Sequence, residues 1–387
     1  MRWTNDRPIK LLCLIPELRT GGAELVLISL LKKFSRDRIK PILVLLQNKT
    51  EYVNQLPEDI KLIELGKKGR FDFFRISFAL ASIIKKECPD AILSFLWYSG
   101  IVAIVAKKLS GINTVTITAI RNFLSICIRR EKCGLAKTFL AKRLLKYSSA
   151  TLVLAKPMKE DMVEKFNLDR EKIHIIPNPV DIPKIKARAS EKIDHPWFGS
   201  DKNIPVIIAI GRLTEQKGYP HLLEAFKNIL SQQPARLFII GSGQDQAKLE
   251  KLVANYGIGE NVCLAGVLRN PLPYLAKSDV FVLSSFYEGF PNAMVEAMAL
   301  AVPVVATNCP SAVSDIITDG FSGLLIPVAD PSAMQKAVIR ILNNKDFAKK
   351  LGDNAVKAVE NYPAEHVVEL YQSVIEKVIK RNGNDCD

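Results

Sequence analysis

Two glutamates stand eight residues apart in the stretch FYEGFPNAMVEAMAL, residues 286–300. The preceding run DVFVLSS predicts a buried strand, and Pro291 suits the first turn of a helix. Glu288 is therefore expected in the loop at the carboxyl end of a strand, and Glu296 in the second turn of the next helix. A carboxylate there can accept hydrogen bonds from sugar hydroxyls, while the N–H groups of the helix start attract phosphate. Taken alone, the spacing is explained more simply by two solvated surface glutamates.

Other residues with suitable chemistry also follow predicted strands. Arg212 and Lys217 lie between the run VIIAIGR and a helical pattern around PHLLEAF. Arginine offers a planar fork to phosphate oxygens and lysine a mobile charge, although an ordinary exposed basic loop accounts for them equally well. Gly243 and Val267 follow two further strands, where a tight turn is the simpler interpretation. Ligands of open α/β sheets bind at the carboxyl ends of the strands, so all four positions are candidates for one site.

Short apolar runs alternate with amphipathic stretches along the whole chain, which predicts an α/β fold with parallel sheets. The pattern is interrupted by a proline-rich segment between Pro177 and Pro205 and then restarts. We therefore expect a first domain over residues 1–180, a linker over 181–203 and a second domain over 204–363. A final helical pattern, expected to pack with the first domain as residues 364–387, follows the Tyr362–Pro363 break.

The composition is that of a soluble globular protein, with 48% apolar and 24% charged residues. Seven cysteines are scattered without a CxxC pair, which is typical of reduced intracellular thiols. The first 18 residues lack the features of a signal peptide. The uncharged run of residues 91–106 is too short to span a membrane and predicts a buried strand followed by a helix.

The net charge of +14 is concentrated in the first half of the chain. Residues 1–195 contain 36 Lys and Arg against 20 Asp and Glu, whereas the remainder contains 18 against 20. Residues 121–146 alone carry eight basic residues and one glutamate, beside an apolar stripe comprising Phe123, Leu124, Ile126, Phe139, Leu140 and Leu144. A basic amphipathic helix can lie on anionic lipid, and a core-packed helix with a solvated basic face explains the pattern equally well. No nucleic-acid recognition motif accompanies the charge.

In combination these motifs resemble the family-4 retaining glycosyltransferases of the GT-B fold, of the bacterial surface-glycan type. The motifs are the two glutamates, Gly211-Arg212-Leu213 with Lys217-Gly218, Gly241-x-Gly243, and Thr20-Gly21-Gly22-Ala23-Glu24. Residues 177–181, PNPVD, fit the family's domain junction. The resemblance spans most of the chain and is closer in the second half. It implies two Rossmann-like domains facing across a cleft, with the C-terminal helix crossing back to the first domain.

The resemblance also implies a role for each position. Arg212 and Lys217 would hold the donor diphosphate, and Glu296 would accept the ribose hydroxyls. Glu288 would contact the donor sugar. The remaining substrate-binding positions would be Gly21, Gly22, Gly211, Gly243, Val267, Gly289, Phe290, Pro291 and Asn292. Val267 would present backbone groups to the nucleobase, and Gly22 would allow close approach of the backbone to the phosphates.

Two departures bear on mechanism. Many relatives carry a first-domain histidine at the end of a central strand, where this chain has Arg121 and Asn122. Arg121 or Asn122 could take that place, and an ordinary strand-end arginine is as good an explanation. The one Asp-x-Asp match is the tail, Asp385 to Asp387. No metal and no cofactor are therefore expected, since Arg212 and Lys217 can replace the cation.

The sequence thus predicts a metal-independent retaining hexosyltransferase. It would move a sugar from a nucleotide diphosphate donor, with UDP-sugar favoured over GDP-sugar, to a lipid-linked glycan acceptor. It would act in the cytoplasm as a peripheral protein at the cytoplasmic face of the inner membrane, in polysaccharide or oligosaccharide biosynthesis. The alternatives are a GT-B nucleotide-sugar epimerase, and a non-catalytic protein of the same fold that binds nucleotide sugar or a membrane surface.

Overall fold

The structure is a computed structural model and describes residues 7–19, 21–48, 51–69, 72–129, 133–199 and 203–384. The chain forms two compact units. Unit 1 comprises Met1–Pro179 together with Ala364–Asp387, and unit 2 comprises Val180–Pro363. Several residues named above lie outside the described ranges: Thr20 of the glycine motif, Arg130 of the basic segment, and the tail Asp385 to Asp387.

A seven-stranded parallel sheet forms the centre of unit 1, in the order β3-β2-β1-β4-β5-β6-β7. The strands are β1 (Ile9–Ile15), β2 (Ile39–Leu45), β3 (Lys61–Glu64), β4 (Ala91–Phe95), β5 (Val115–Ala119), β6 (Ala150–Val153) and β7 (Ile173–Ile175). The central strands β1, β4 and β5 are almost entirely buried, as their continuous apolar sequences predict.

Helices cover both faces of this sheet. They are α1 (Gly22–Lys33), α2 (Phe73–Glu87), α3 (Trp97–Ser110), α4 (Leu124–Arg129), α5 (Gly134–Leu145) and α6 (Lys156–Phe166). Helix α1 contributes Leu27 and Leu31 to the core on one face. Helices α2 and α3 contribute Leu80 and Val102 to a separate core on the opposite face. Helix α5 packs against α3, and α4 and α6 pack against α5, so these five helices form one layer.

Unit 2 is built around a six-stranded parallel sheet in the order β10-β9-β8-β11-β12-β13. Its strands are β8 (Val206–Ile210), β9 (Arg236–Ile240), β10 (Val262–Leu264), β11 (Val280–Leu283), β12 (Val304–Thr307) and β13 (Leu324–Ile326). Its helices are α7 (Ile182–Ala189), α8 (Tyr219–Leu230), α9 (Gln246–Tyr256), α10 (Leu272–Ala276), α11 (Asn292–Ala299), α12 (Val313–Ile316), α13 (Pro331–Leu342) and α14 (Lys345–Val359). The predicted α/β class with two Rossmann-like sheets is confirmed.

The chain enters and leaves unit 2 at adjacent points, because Val180 pairs with Pro363 and its N–H donates to the Tyr362 carbonyl at 2.9 Å. Helix α7 lies in the segment that the sequence suggests is a linker, and it packs against α10 and α11 of unit 2. The last helix, α15 (Ala364–Asn384), belongs to unit 1, where Val367, Tyr371 and Ile375 join the core that contains α1. None of the helices in the described ranges has the length and apolar character needed to cross a bilayer.

Candidate active site

An ion pair joins two of the predicted site residues in unit 2. The Lys217 Nζ donates to the Glu288 Oε1 at 2.6 Å, although the residues are 71 positions apart. Lys217 ends the short turn that follows β8, and Glu288 lies in the loop after β11, the strand hydrogen-bonded to β8. Because parallel strands end at the same sheet edge, both side chains reach the place where α/β folds bind ligands. Their side chains are only 16% and 9% exposed.

Two residues that the sequence analysis did not single out fix the position of Glu288. The Ser285 Oγ donates to the Glu288 Oε1 at 2.7 Å, and the Thr307 Oγ1 donates to the Ser285 carbonyl at 2.6 Å. Ser285 and Thr307 are fully buried. A buried carboxylate requires such partners. Hydroxyl residues at the ends of two apolar strands, LSS and VVAT, are the signal that could have identified this support.

Glycine allows the loops of this site to approach one another closely. Gly218 has φ +63°, and a Cβ there would lie 2.1 Å from the Ser284 carbonyl oxygen. The Ser284 Oγ in turn donates to the Lys217 carbonyl at 2.7 Å. At Gly241, φ is +144° and a Cβ would lie 2.0 Å from the Gly211 carbonyl oxygen. Only glycine combines these φ values with contacts this short.

The other predicted residues of the first loops occupy the same sheet edge. Gly211 follows β8, and a Cβ there would lie 2.7 Å from the Lys217 Cε. Arg212 is exposed. Gly243 lies beside Leu213, whose carbonyl oxygen would be 2.2 Å from an added Cβ. Val267 follows Gly266 after β10 and is 68% exposed. Gly211 and Gly243 therefore pack against the loop that carries Lys217, and the side chains of Arg212 and Val267 are exposed to solvent.

The segment from Gly289 to Asn292 leads directly into helix α11. Gly289, Phe290 and Pro291 are buried, and the Phe290 ring lies 6.0 Å from that of Tyr362. Helix α11 begins at Asn292, and its N-cap residue, Pro291, makes no side-chain capping hydrogen bond. The Asn292 N–H donates to the Phe290 carbonyl at 3.0 Å, so the N–H groups that follow it are the ones that suit a phosphate oxygen.

Glu296 follows on the second turn of α11, and its side chain is partly buried. Burial raises the pKa of this carboxyl group from its ordinary value of 4.5 to about 7, while the positive charge of Arg188 acts in the opposite direction. A buried carboxyl group has lost hydrogen bonds to water, and the hydroxyl groups of a ligand can replace those bonds. Such a shift is typical of a residue placed for binding.

Three of the predicted site residues lie in unit 1. Gly21 precedes α1 in extended conformation without a side-chain cap, and Gly22 is the exposed first residue of that helix. Arg121 follows β5 and is held by other parts of unit 1. Its guanidinium donates to the Tyr371 hydroxyl at 3.0 Å and to the Asn178 side-chain oxygen, and it lies 5.6 Å from the centre of the Phe95 ring. These contacts give Arg121 an anchoring role for α15.

The basic segment 121–146 is divided between two helices rather than forming one amphipathic helix. Phe123 and Leu124 at the start of α4 are buried in unit 1. On α5, in contrast, Leu135 is 86% and Phe139 62% exposed, and the Arg143 guanidinium lies 5.3 Å from the centre of the Phe139 ring. The core-packed interpretation therefore describes α4, and the exposed basic and apolar surface belongs to α5.

Within the described ranges, no three His, Cys, Asp or Glu side chains come together in a way that could hold a metal ion. The positive charge at the ion pair comes instead from Lys217, with Arg212 nearby in sequence. Metal-independent chemistry stays a prediction of the sequence.

Two family models match this chain. The model for glycosyl transferases group 1 matches residues 190–358, and the model for glycosyltransferase family 4 matches residues 20–184. Each falls almost entirely within one half of the chain, and the two together cover most of its length.

Two characterised glycosyltransferases are similar to this chain over more than two thirds of its length. The chain is 28% identical over 356 residues to the Campylobacter jejuni N-acetylgalactosamine-N,N'-diacetylbacillosaminyl-diphospho-undecaprenol 4-alpha-N-acetylgalactosaminyltransferase, covering 89% of this chain and 93% of that protein. It is 29% identical over 279 residues to the Escherichia coli UDP-Gal:alpha-D-GlcNAc-diphosphoundecaprenol alpha-1,3-galactosyltransferase, covering 69% and 70%.

Among solved structures, the crystal structure of Anabaena HepE in complex with UDP superimposes with a TM-score of 0.81, at 17% identity, over 95% of this chain and 100% of that one. This similarity confirms the GT-B fold. The two family models, which together match residues 20–184 and 190–358, show that the chain belongs to the family-4 glycosyltransferases.

Proposed function

We propose that this glycosyltransferase moves a sugar from a nucleotide diphosphate donor to a lipid-linked glycan with retention of the anomeric configuration. The observation that carries the proposal is the Lys217–Glu288 pair at the carboxyl edge of the unit 2 sheet. An ammonium group has three donors, so Lys217 can bind Glu288 and still donate to phosphate oxygens. A carboxylate with two bonds on one oxygen keeps acceptor capacity for sugar hydroxyls.

The roles of the residues follow from their chemistry. Arg212, Lys217 and the start of α11 bind the diphosphate and stabilise the charge that develops on it as the bond to the sugar breaks. Glu288 orients the sugar, and Glu296 accepts the ribose hydroxyls. The acceptor hydroxyl oxygen attacks the anomeric carbon from the face that the phosphate leaves, and its proton passes to the departing phosphate oxygen. No protein nucleophile and no metal ion take part.

The identity of the donor nucleotide is supported by similar proteins. The E. coli relative is named for UDP-Gal, and HepE was crystallised with UDP. We therefore favour a UDP-sugar. Val267, which is exposed at the end of β10, would present its backbone to the nucleobase. Gly21 and Gly22 are assigned to the phosphate-binding turn of unit 1.

The acceptor class is also proposed from relatives, since both curated proteins are named for diphospho-undecaprenol-linked glycans. Such an acceptor lies in a membrane, so the enzyme must work at a lipid surface. The exposed side chains of α5, with Lys142 and Arg143 beside Leu135 and Phe139, suit an anionic bilayer. We accordingly place the protein peripherally at the cytoplasmic face of a membrane.

Transfer from a panel of UDP-sugars and GDP-sugars to polyprenyl-diphosphate-linked acceptors tests this proposal. We expect one UDP-sugar to be consumed only with acceptor present, and NMR of the new linkage to show the donor's anomeric configuration. Excess chelator should leave the rate unchanged. Conversion of the donor without acceptor would favour the epimerase, and a binding signal without turnover would favour a non-catalytic protein.

A further inference from the structure

The helices on the two faces of the unit 1 sheet differ sharply in charge. Helices α2, α3, α4 and α5 carry nine Lys and Arg residues, three on α2, two on α3, one on α4 and three on α5. Their single acidic residue, Glu87, is buried and bound to Lys10 and Lys61. Helix α6, which belongs to the same layer, adds three basic and three acidic residues, so the layer carries twelve basic against four acidic residues. On the opposite face, α1 and α15 together carry five basic and four acidic residues. The positive charge of these helices is therefore concentrated on one face.

Large apolar side chains are exposed on that same face. On α2, Phe74 is 70% and Phe78 58% exposed, and the two lie one helical turn apart. Ser82, Lys85 and Lys86 continue the exposed side of this helix. Because α2 packs on α3 and α3 packs on α5, the phenylalanines share the layer that carries Leu135 and Phe139.

We infer that the layer formed by α2, α3 and α5 docks on an anionic lipid bilayer, with Phe74 and Phe78 inserting at the headgroup level. The inference deepens the proposed function, on which it rests, by adding α2 to the membrane-binding surface of α5. The basic side chains that would meet the headgroups are Lys85 and Lys86 on α2, Lys108 on α3, and Lys142 and Arg143 on α5. Arg75 pairs with Asp72 and is not needed for this contact.

A bilayer surface suits this layer for a physical reason. The exposed apolar groups stand on different helices, with Leu109 and Lys108 exposed on α3 between them. A lipid interface accommodates separated aromatic rings and extended lysines together, since rings enter the headgroup region while ammonium groups reach anionic phosphates. The basic side chains lie on the same layer as the exposed rings, and their positive charge complements the negative charge of an anionic bilayer.

The test is co-flotation of the full chain with vesicles, comparing phosphatidylcholine alone with mixtures containing phosphatidylglycerol. Phe74→Ser/Phe78→Ser should weaken binding to anionic vesicles about tenfold or more, because two aromatic side chains no longer insert. Phe321→Ser, a change at a phenylalanine of unit 2 that is 57% exposed, is the matched control and should leave binding unchanged. Equal binding of the double variant and the control would overturn the inference.

A second measurement reports insertion directly. Phe78→Trp should show emission quenching by brominated lipids in anionic vesicles, whereas Phe321→Trp should show none above the signal of the unsubstituted protein. Quenching that is the same in both variants would overturn the inference. The inference would also be overturned if the unsubstituted protein formed a dimer in lipid-free solution and the Phe74→Ser/Phe78→Ser variant were a monomer. The surface of α2, α3 and α5 would then bind a second copy of the chain.

Vesicle binding needs neither donor nor acceptor, so its outcome is separate from that of the proposed function. If transfer to a detergent-solubilised acceptor occurs but the Phe74→Ser/Phe78→Ser change leaves vesicle binding intact, only the docking surface is refuted. If no sugar is transferred but binding depends on both phenylalanines, the surface stands and the proposed reaction fails.

Discussion

Replacing Lys217 with alanine should remove sugar transfer and also lower stability, for two separable reasons. In the proposed reaction, the variant would lose one cationic donor to the departing diphosphate, a loss worth about 10²–10³ in kcat. In the fold, the Glu288 carboxylate loses the ammonium group that lies 2.6 Å from its Oε1. Only 9% of the Glu288 side chain is exposed, so water cannot fully replace that partner.

The size of the stability effect follows from this geometry. At 2.6 Å the attraction between unit charges is about 6 kcal/mol for an effective dielectric constant of about 20. Desolvation of both groups offsets much of this, and losing one partner of such a pair costs about 3 kcal/mol. The bond from Ser285 to Glu288 remains and limits the loss. Urea unfolding should therefore show a clearly lower free energy for Lys217→Ala.

A double-mutant cycle with Glu288→Gln separates the two effects. In Lys217→Ala/Glu288→Gln no buried charge is left unpaired, so we expect much of the stability to return. Transfer should not return, because both ligand-binding groups are missing. The matched control is Thr307→Val, which removes the bond to the Ser285 carbonyl and costs about 1–2 kcal/mol without changing any charge. Its rate at a temperature well below its unfolding midpoint should fall far less than that of Lys217→Ala, because Glu288 keeps its bonds from Lys217 and Ser285.

Two outcomes would refute the reasoning. If Lys217→Ala transferred sugar within about threefold of the unsubstituted rate, the lysine would not stabilise the developing phosphate charge by the expected amount. If the double variant regained transfer together with stability, Lys217 would serve only to neutralise Glu288.

Three further substitutions test other parts of the structure. Gly218→Ala should cost about 2–4 kcal/mol in urea unfolding because its Cβ overlaps a carbonyl oxygen, whereas Gly257→Ala, at similar positive φ but in open space, should cost only about 1 kcal/mol; equal costs would contradict the overlap. Between its ordinary pKa of 4.5 and a pH of about 7, Glu296 is more protonated in the folded than in the unfolded protein, because burial raises its pKa. The free energy of unfolding, relative to that of Glu296→Gln, should therefore fall as the pH rises from about 5 to about 8. Parallel curves of stability against pH for the two proteins would contradict this. Arg121→Met should destabilise the protein by more than the roughly 1 kcal/mol expected for Tyr371→Phe, since the arginine bonds two partners; a lost rate at unchanged stability would instead point to contact with substrate.

The fold class could be predicted from the sequence because it depends on local patterns. Continuous apolar runs such as Ile9–Ile15 can be buried only in the centre of a parallel sheet, and amphipathic stretches such as Pro331–Leu342 need one buried face. The helical pattern after Pro363 was equally readable. Its membership of unit 1 is visible in the structure through the packing of Tyr371 and Ile375 with α1 and the sheet.

The charge of the first half shows the difference in another way. The sequence revealed the excess and the basic segment 121–146, and a single helix was a reasonable interpretation of its pattern. The structure separates a buried α4 from an exposed α5, since Phe123 and Leu124 find partners in the core while Leu135 and Phe139 do not. It also brings α2 into the same layer, which spacing along the chain could not indicate.

For the candidate site, the sequence determined which groups are available and that each follows a strand, because residue type and strand ends are local properties. The spatial order of the strands is not local. Lys217 meets Glu288 because β8 pairs on one side with β9, the next strand along the chain, and on its other side with the distant β11. Ser285 and Thr307 support that pair because β11 and β12 are neighbours, so long-range strand pairing, which only the tertiary structure decides, turns separate polar residues into one site.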